Sequence, residues 1–71
     1  MQRIPVQSSA LQSIGYDAET LTLELEFKEN SGVWQYFNFK PAVLKKFLRS
    51  VSLGNFFVTH IKGKYREERV G

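Results

Sequence analysis

The sequence predicts an α+β domain: a three-stranded antiparallel meander followed by two helices packed on one face of the sheet. Three observations carry that expectation. Residues 21–28, Leu-Thr-Leu-Glu-Leu-Glu-Phe-Lys, alternate apolar and polar without a break, which is the period of a half-buried strand. An aromatic run from Val33 to Phe39 follows the turn signal Asn30-Ser31-Gly32 and is closed off by Pro41. From Pro41 onward the period becomes that of an amphipathic helix. Strands first and helices second point to a layered α+β arrangement.

Taken in order, Met1 to Ser8 has no strong period, and Pro5 forbids a helix interior there. Residues 1–7 are expected as an extended N-terminal arm along the domain edge. Leu11 to Asp17 reads as the first strand. Leu11, Ile14 and Tyr16 do not share one parity, so a bulge or a late start near Ser13 is expected. Gly15 within it fits a bulge or a close backbone approach. Asp17-Ala18-Glu19-Thr20 is a polar turn. The second strand then places Leu21, Leu23, Leu25 and Phe27 inward and Thr22, Glu24, Glu26 and Lys28 outward.

The third strand is the aromatic run. A loop at Glu29–Gly32 would set Lys28 opposite Val33, Phe27 opposite Trp34, Leu25 opposite Tyr36 and Glu24 opposite Phe37. Opposed residues share a face, so Trp34 and Tyr36 point into the core. A two-residue loop at Asn30-Ser31 keeps that parity, and a three-residue loop with a bulge reverses it. By the first parity Phe37 is exposed, and Phe39 too unless the chain bends before Pro41.

Pro41 suits the first position of a helix, where a missing N–H costs nothing. Val43, Leu44, Phe47, Leu48 and Val51 make its apolar side, and Lys45, Lys46 and Arg49 the other. Ser52 can cap a second helix, whose apolar stripe is Leu53, Phe56, Phe57 and Ile61. Gly54 weakens its first turn. Gly63 is the residue type that ends a helix, with Lys62 well placed at the negative end of the dipole. Residues 64–71 form a polar C-terminal tail with Tyr65 and Val70 as its anchors.

Length and composition narrow the function. Seventy-one residues make one small domain, residues 1–71, at a size where a single core is marginal. There is no cysteine and one histidine, so neither a disulfide frame nor a His/Cys zinc site is expected, and no metal or other cofactor. Six Phe, three Tyr and one Trp must then supply the core. No apolar run reaches membrane-spanning length, and polar residues interrupt the start where a signal peptide would lie. A cytoplasmic, monomeric protein with no membrane association is the default expectation.

An enzyme is not expected. His60, the lone imidazole, borders the apolar stripe of the second helix and reads as a packing residue, and no triad partner stands near it in sequence. Asp17 and Glu19 flank a turn, which offers no pocket to raise a carboxylate pKa. Gly63-Lys64 lacks the remaining residues of a phosphate loop.

Several of these residues, in this order, resemble the KTSC domain. They are Ser8-Ser9, Ile14-Gly15-Tyr16-Asp17, the alternating strand, an aromatic-x-aromatic centre, Ser52-x-Gly54-x-Phe56-Phe57, Ile61 and Tyr65. The resemblance covers roughly Val6 to Val70. The family's central Tyr-x-Tyr stands here as Trp34-Gln35-Tyr36, and Leu44 occupies a position where an aromatic is common. Both departures keep the apolar character. The family is named for a segment at the C-terminus of some lysyl-tRNA synthetases and also occurs as small bacterial proteins, so the resemblance implies RNA binding by association.

The charge distribution gives that implication a location. Residues 1–39 carry Arg3 and Lys28 against Asp17, Glu19, Glu24, Glu26 and Glu29, a net −3, whereas residues 40–71 carry eight basic residues against Glu67 and Glu68, a net +6. The candidate nucleic-acid-binding set is Lys45, Lys46 and Arg49 on the first helix with Lys62, Lys64 and Arg66 after the second. The bland reading of the same residues is a solvated face that keeps the protein soluble. The rival function is a protein–protein adaptor, or a homodimer through exposed Phe37 and Phe39. Trp34 and Tyr36 could serve as a base-stacking platform on an open sheet, but the pairing arithmetic assigns them to the core.

Overall fold

The computed structural model describes all 71 residues. They form one antiparallel sheet of five strands in sequential order: β1 (Arg3–Pro5), β2 (Leu11–Asp17), β3 (Thr22–Phe27), β4 (Val33–Tyr36) and β5 (Glu67–Arg69). Between β4 and β5 lie α1 (Pro41–Arg49) and α2 (Leu53–Phe56), which runs on as a π-helical turn over Phe57–Ile61. The α+β class and the two helices stand as expected, and the strand count is corrected from three to five. Both chain ends join the sheet. The N-terminal arm contributes β1, pairing Arg3 with Gly15, Ile4 with Ile14 and Pro5 with Ser13. The tail contributes β5, pairing Trp34 with Arg69, Gln35 with Glu68 and Tyr36 with Glu67. Pro5 is tolerated because β1 is an edge strand, where a missing donor breaks no ladder.

The bulge in β2 is where the parity conflict placed it. Leu11 pairs with Phe27 but Ser13 with Glu26, so one residue of β2 is extra. That single insertion brings Leu11, Ile14 and Tyr16 onto one face with Leu23, Leu25 and Phe27. Gly15 is required by close approach: a Cβ there would lie 2.9 Å from the Gln2 carbonyl oxygen and 3.0 Å from Arg3 Cγ.

The β3–β4 hairpin keeps the expected parity in a different register. Leu25 pairs with Trp34, Leu23 with Tyr36, Glu24 with Gln35 and Glu26 with Val33. Every expected pair is therefore displaced by two residues. Phe27 N–H donates to the Gly32 carbonyl at 3.0 Å, so the loop is Lys28–Ser31 rather than Glu29–Gly32. Glu29 and Asn30 both take the left-handed conformation, at φ 60° and 58°, and turn the chain one position early. Lys28 N–H bonds the Ala10 carbonyl on the β2 side instead of facing Val33.

Phe39 is fully buried, which corrects its expected exposure, and Phe37 is half-buried. Asn38 explains both. Its φ of 58° breaks the alternation after β4, and Phe39 turns inward with its N–H on the Leu21 carbonyl at 2.9 Å. The Tyr16 hydroxyl donates to the Phe39 carbonyl and fixes the bend from the other side.

The core is Leu11, Ile14, Leu23, Leu25, Tyr36, Phe39, Phe47 and Ile61, with Trp34, Val43, Leu44, Leu53, Phe56 and Phe57 packed around it. Edge-to-face contacts join the layers: Phe27 to Phe57 at 5.1 Å and Tyr36 to Phe57 at 5.7 Å between ring centres. Such pairs contribute about 0.5–1.5 kcal/mol each beyond the area they bury. Burial pushes the Tyr36 phenol well above its usual range, and the neighbouring Glu67 carboxylate adds to the shift by charge and hydrogen bonding. Both helices are short and lean on this packing, since isolated helices of such length do not hold in water. No helix is long and apolar enough to cross a membrane.

Candidate nucleic-acid interface

α1 has its basic side chains exposed because Val43, Leu44 and Phe47 take its core side; Leu48 and Val51, expected on that side, are exposed as well. Phe47 is buried, Val43 and Leu44 are half-buried, and Lys45, Lys46 and Arg49 all face solvent. Lys46 and Arg49 also lie in the last turn, where cations oppose the negative end of the helix dipole. α2 starts at the Ser52 cap, whose hydroxyl accepts from Asn55 N–H. Two ring contacts orient the pair of helices. Phe47 meets Phe56 at 5.3 Å between ring centres, tilted, fixing the C-terminal part of α1 beside the end of α2. Phe39 meets Tyr65 at 4.9 Å, bringing the chain after the π turn back to the residue just before α1.

The six predicted cations fall into two groups, and the second does not lie wholly on the helical side: the Arg66 carbonyl accepts from Phe37 N–H at 3.0 Å, which continues the β4–β5 register and sets Arg66 on the open face with Gln35 and Glu68. Lys45, Lys46 and Arg49 line α1, and Lys62, Lys64 and Arg66 occupy the exposed return path. Lys40 joins the second group: it is exposed and adjacent to Phe39, which holds Tyr65 between Lys64 and Arg66. Sequence reasoning missed Lys40 because it precedes the helix and belongs to no periodic face. None of the seven forms an ion pair. The ion pairs of the molecule are those of Arg3 with Glu24, at 2.6 Å, and Glu26, at 4.0 Å.

Those carboxylates lie on the opposite face of the sheet in a closed network. Glu24 is 6% exposed. One of its oxygens accepts from Arg3 and the other from Gln35 Nε2 at 2.8 Å. Arg3 Nε also donates to the Ser13 hydroxyl, which donates to Glu26 at 2.8 Å. Two carboxylates of the acidic half, Glu24 and Glu26, are thus engaged by Arg3, whereas no cation of the basic half has a carboxylate partner.

The aromatic centre behaves as core. Tyr36 is buried, and Trp34 is half-buried against the core with its indole N–H on the Ser31 carbonyl at 3.3 Å. With Phe39 buried, the dimer surface expected from Phe37 and Phe39 does not form. The exposed large apolar residues are Met1, Ile4, Leu48, Val51, Val58 and Val70, of which Ile4, Leu48 and Val51 lie near β1 and the end of α1. They border two adjoining hollows of about 380 and 500 Å³ that share Val6 and Leu48. His60 is exposed rather than packed inside, with its ring 4.6 Å from that of Phe56.

A five-stranded antiparallel sheet backed by two short helices, with an unpaired cationic surface on the helical side, defines a small α+β domain. The chain belongs to the KTSC domain family, whose model matches residues 7–65. A KTSC domain protein from Yersinia pestis, known from a crystal structure, superposes with a TM-score of 0.94 at 41% identity, over 99% of this chain and 97% of that one. An uncharacterized protein of Stutzerimonas stutzeri is 40% identical over 57 residues, covering 80% of this chain and 79% of that protein. A lysine–tRNA ligase of Nostoc punctiforme is 33% identical over 64 residues. That match takes in 90% of this chain but 11% of the ligase, so the likeness concerns one small part of that protein.

Proposed function

We propose that this domain is a non-catalytic nucleic-acid-binding module that holds RNA through the exposed Lys45, Lys46, Arg49, Lys62 and Lys64 of its helical side, with Arg66 at the sheet edge beside them. The observation that carries the reading is the asymmetry of pairing: these cations are exposed without carboxylate partners, while Glu24 and Glu26 are engaged on the far face. Cations in that state are free to replace the counterions of a phosphate backbone. The relationship to part of a lysine–tRNA ligase supports RNA over DNA. Phosphate contacts of this type position a strand without reading its sequence. Titration of a short single-stranded RNA, followed through backbone amide shifts at low and then moderate salt, tests the proposal. Shifts concentrated at Lys45, Lys46, Arg49, Lys62 and Lys64 that fade with salt are expected. Their absence at low salt would end it.

A protein partner is the second reading, favoured by the apolar surface of Ile4, Leu48 and Val51. Exposed apolar clusters of this kind mark contact surfaces when they are contiguous. Light scattering of the wild type and of Leu48→Ser discriminates its self-associating form: a monomer in both cases removes it.

A further inference from the structure

Three rings lead outward from the core on the helical side. Phe47 is buried, Phe56 is half-buried 5.3 Å from it, and His60 is exposed 4.6 Å beyond Phe56. His60 has no other ring neighbour. Beside it opens a recess of about 210 Å³ lined by Ser50, Ser52, Asn55, Phe56, Thr59 and His60, with Val51 at its edge. That volume falls below the roughly 300–1,000 Å³ of pockets for drug-sized molecules, so it suits one planar ring system.

The polar groups of the recess are only partly used. Asn55 spends its backbone N–H on Ser52 and its backbone carbonyl on Thr59, and its side-chain carboxamide bonds nothing in the protein. Ser52 accepts from Asn55 N–H and keeps its own proton to donate. Ser50 and Thr59 donate to the carbonyls of Phe47 and Asn55 and keep lone pairs to accept. The recess therefore presents a ring face together with both donors and acceptors. The backbone here is also irregular: the chain leaves the α-helix at Phe57, and Lys62 N–H closes the wide turn on the Phe57 carbonyl at 2.8 Å. π-helical turns are frequent at functional sites.

Its position is the second observation. Lys46 stands four residues before Ser50 on the helical path of α1, and Arg49 immediately precedes it. Lys62 stands three residues after Thr59. All three are exposed, so cations from both groups stand within four residues of the chain that lines the recess.

We infer that this recess receives one unstacked nucleobase of a single RNA strand, stacked on His60 and hydrogen-bonded by Asn55, while the flanking cations hold the adjacent phosphates. The inference rests on the RNA-binding reading and deepens it. Protein side chains that recognise single-stranded RNA combine these parts: an aromatic or imidazole face and groups that address the base edge. A free carboxamide is the group that pairs two-pronged with adenine, so adenine is the favoured base.

The test compares two oligomers of equal length and charge, a labelled hexamer of riboadenylate and its abasic ribose-phosphate counterpart, by fluorescence anisotropy at low salt. The wild type is expected to bind the adenine oligomer about tenfold or more tightly than the abasic one, the scale of a single base stack. His60→Ala should erase that preference while leaving abasic affinity unchanged, and His60→Phe should retain it. With a hexamer of uridylate as a third oligomer, Asn55→Ala should weaken the preference for adenine over uracil. His60 and Asn55 are exposed, and matching thermal melts verify that the variants fold. Equal wild-type affinity for the two oligomers, or an adenine preference that survives His60→Ala, overturns the recess while leaving the charged surface standing. No binding of either oligomer overturns both.

Discussion

The two faces of the sheet handle charge in opposite ways. On the open face, Glu24 and Glu26 are locked by Arg3, Ser13 and Gln35, and Glu24 is almost wholly buried although no helix covers it. On the helical side, Lys40, Lys45, Lys46, Arg49, Lys62 and Lys64 stand without a carboxylate partner. A network whose donors and acceptors are matched holds strands together and has little left for a ligand. Unpaired cations contribute little to stability and remain available to an anion. The same small domain thus separates the groups that hold it from those that can bind.

The comparison breaks most severely if the anchor of the helical face is removed. Phe47→Ala should cost about 3–5 kcal/mol, because Phe47 is fully buried and carries the ring contact with Phe56. Urea unfolding should show it, with RNA binding lost along with the fold. On the open face, Arg3→Ala should cost about 1–2 kcal/mol, since it strips one partner from a buried carboxylate and is moderated by the partial exposure of Arg3. Its midpoint in urea should fall while its affinity for RNA, measured where it is folded, stays put. The double variant Lys45→Gln, Lys46→Gln should do the reverse: affinity falls several-fold at low salt, and the unfolding free energy moves by less than about 0.5 kcal/mol. A stability loss from the lysine changes, or a binding loss from Arg3→Ala, would remove the separation.

A gentler probe uses pH. Tyr36 is held neutral by burial and by Glu67, so its folded pKa is raised above its unfolded value. Its contribution to stability is full below about pH 10, the ordinary tyrosine value, and is lost as pH rises beyond it. Stability should therefore decline on the alkaline side, and Tyr36→Phe should flatten that decline. Denaturant midpoints from about pH 8 to pH 11 measure the difference. A decline of equal steepness in the variant would assign it to other groups.

What could be read in the sequence follows from which residues carry their own periodicity. β3 was legible because its alternation separates two unlike faces. The β2 bulge was legible because Leu11, Ile14 and Tyr16 conflict in parity. α1 was legible because Val43, Leu44 and Phe47 separate from its basic residues, although Leu48 and Val51, read with them, are exposed. β1 and β5 were not: three residues each, with no period, they become strands by pairing with a neighbour. The hairpin register escaped because Glu29 and Asn30, not glycines, adopt left-handed conformations, and the inward turn of Phe39 escaped for the same reason at Asn38. The exposure of Lys45, Lys46 and Arg49 followed from the helical pattern, and that of Lys62, Lys64 and Arg66 from the polar character of the stretch after Ile61. Lys40 and the exposed stack of His60 on Phe56 depend on where the chain returns after α1, which no local pattern encodes.

The most direct measurement is the salt dependence of binding to a short single-stranded RNA. Each phosphate contact on a single strand contributes about −0.7 to the slope of log affinity against log salt. Engagement of four to six of these cations predicts a slope of about −3 to −4. Replacing Lys45, Lys46 and Arg49 with neutral residues should bring it to about −1 to −2. A slope near zero, or one that the three replacements leave unchanged, would contradict a helical face built to hold phosphates.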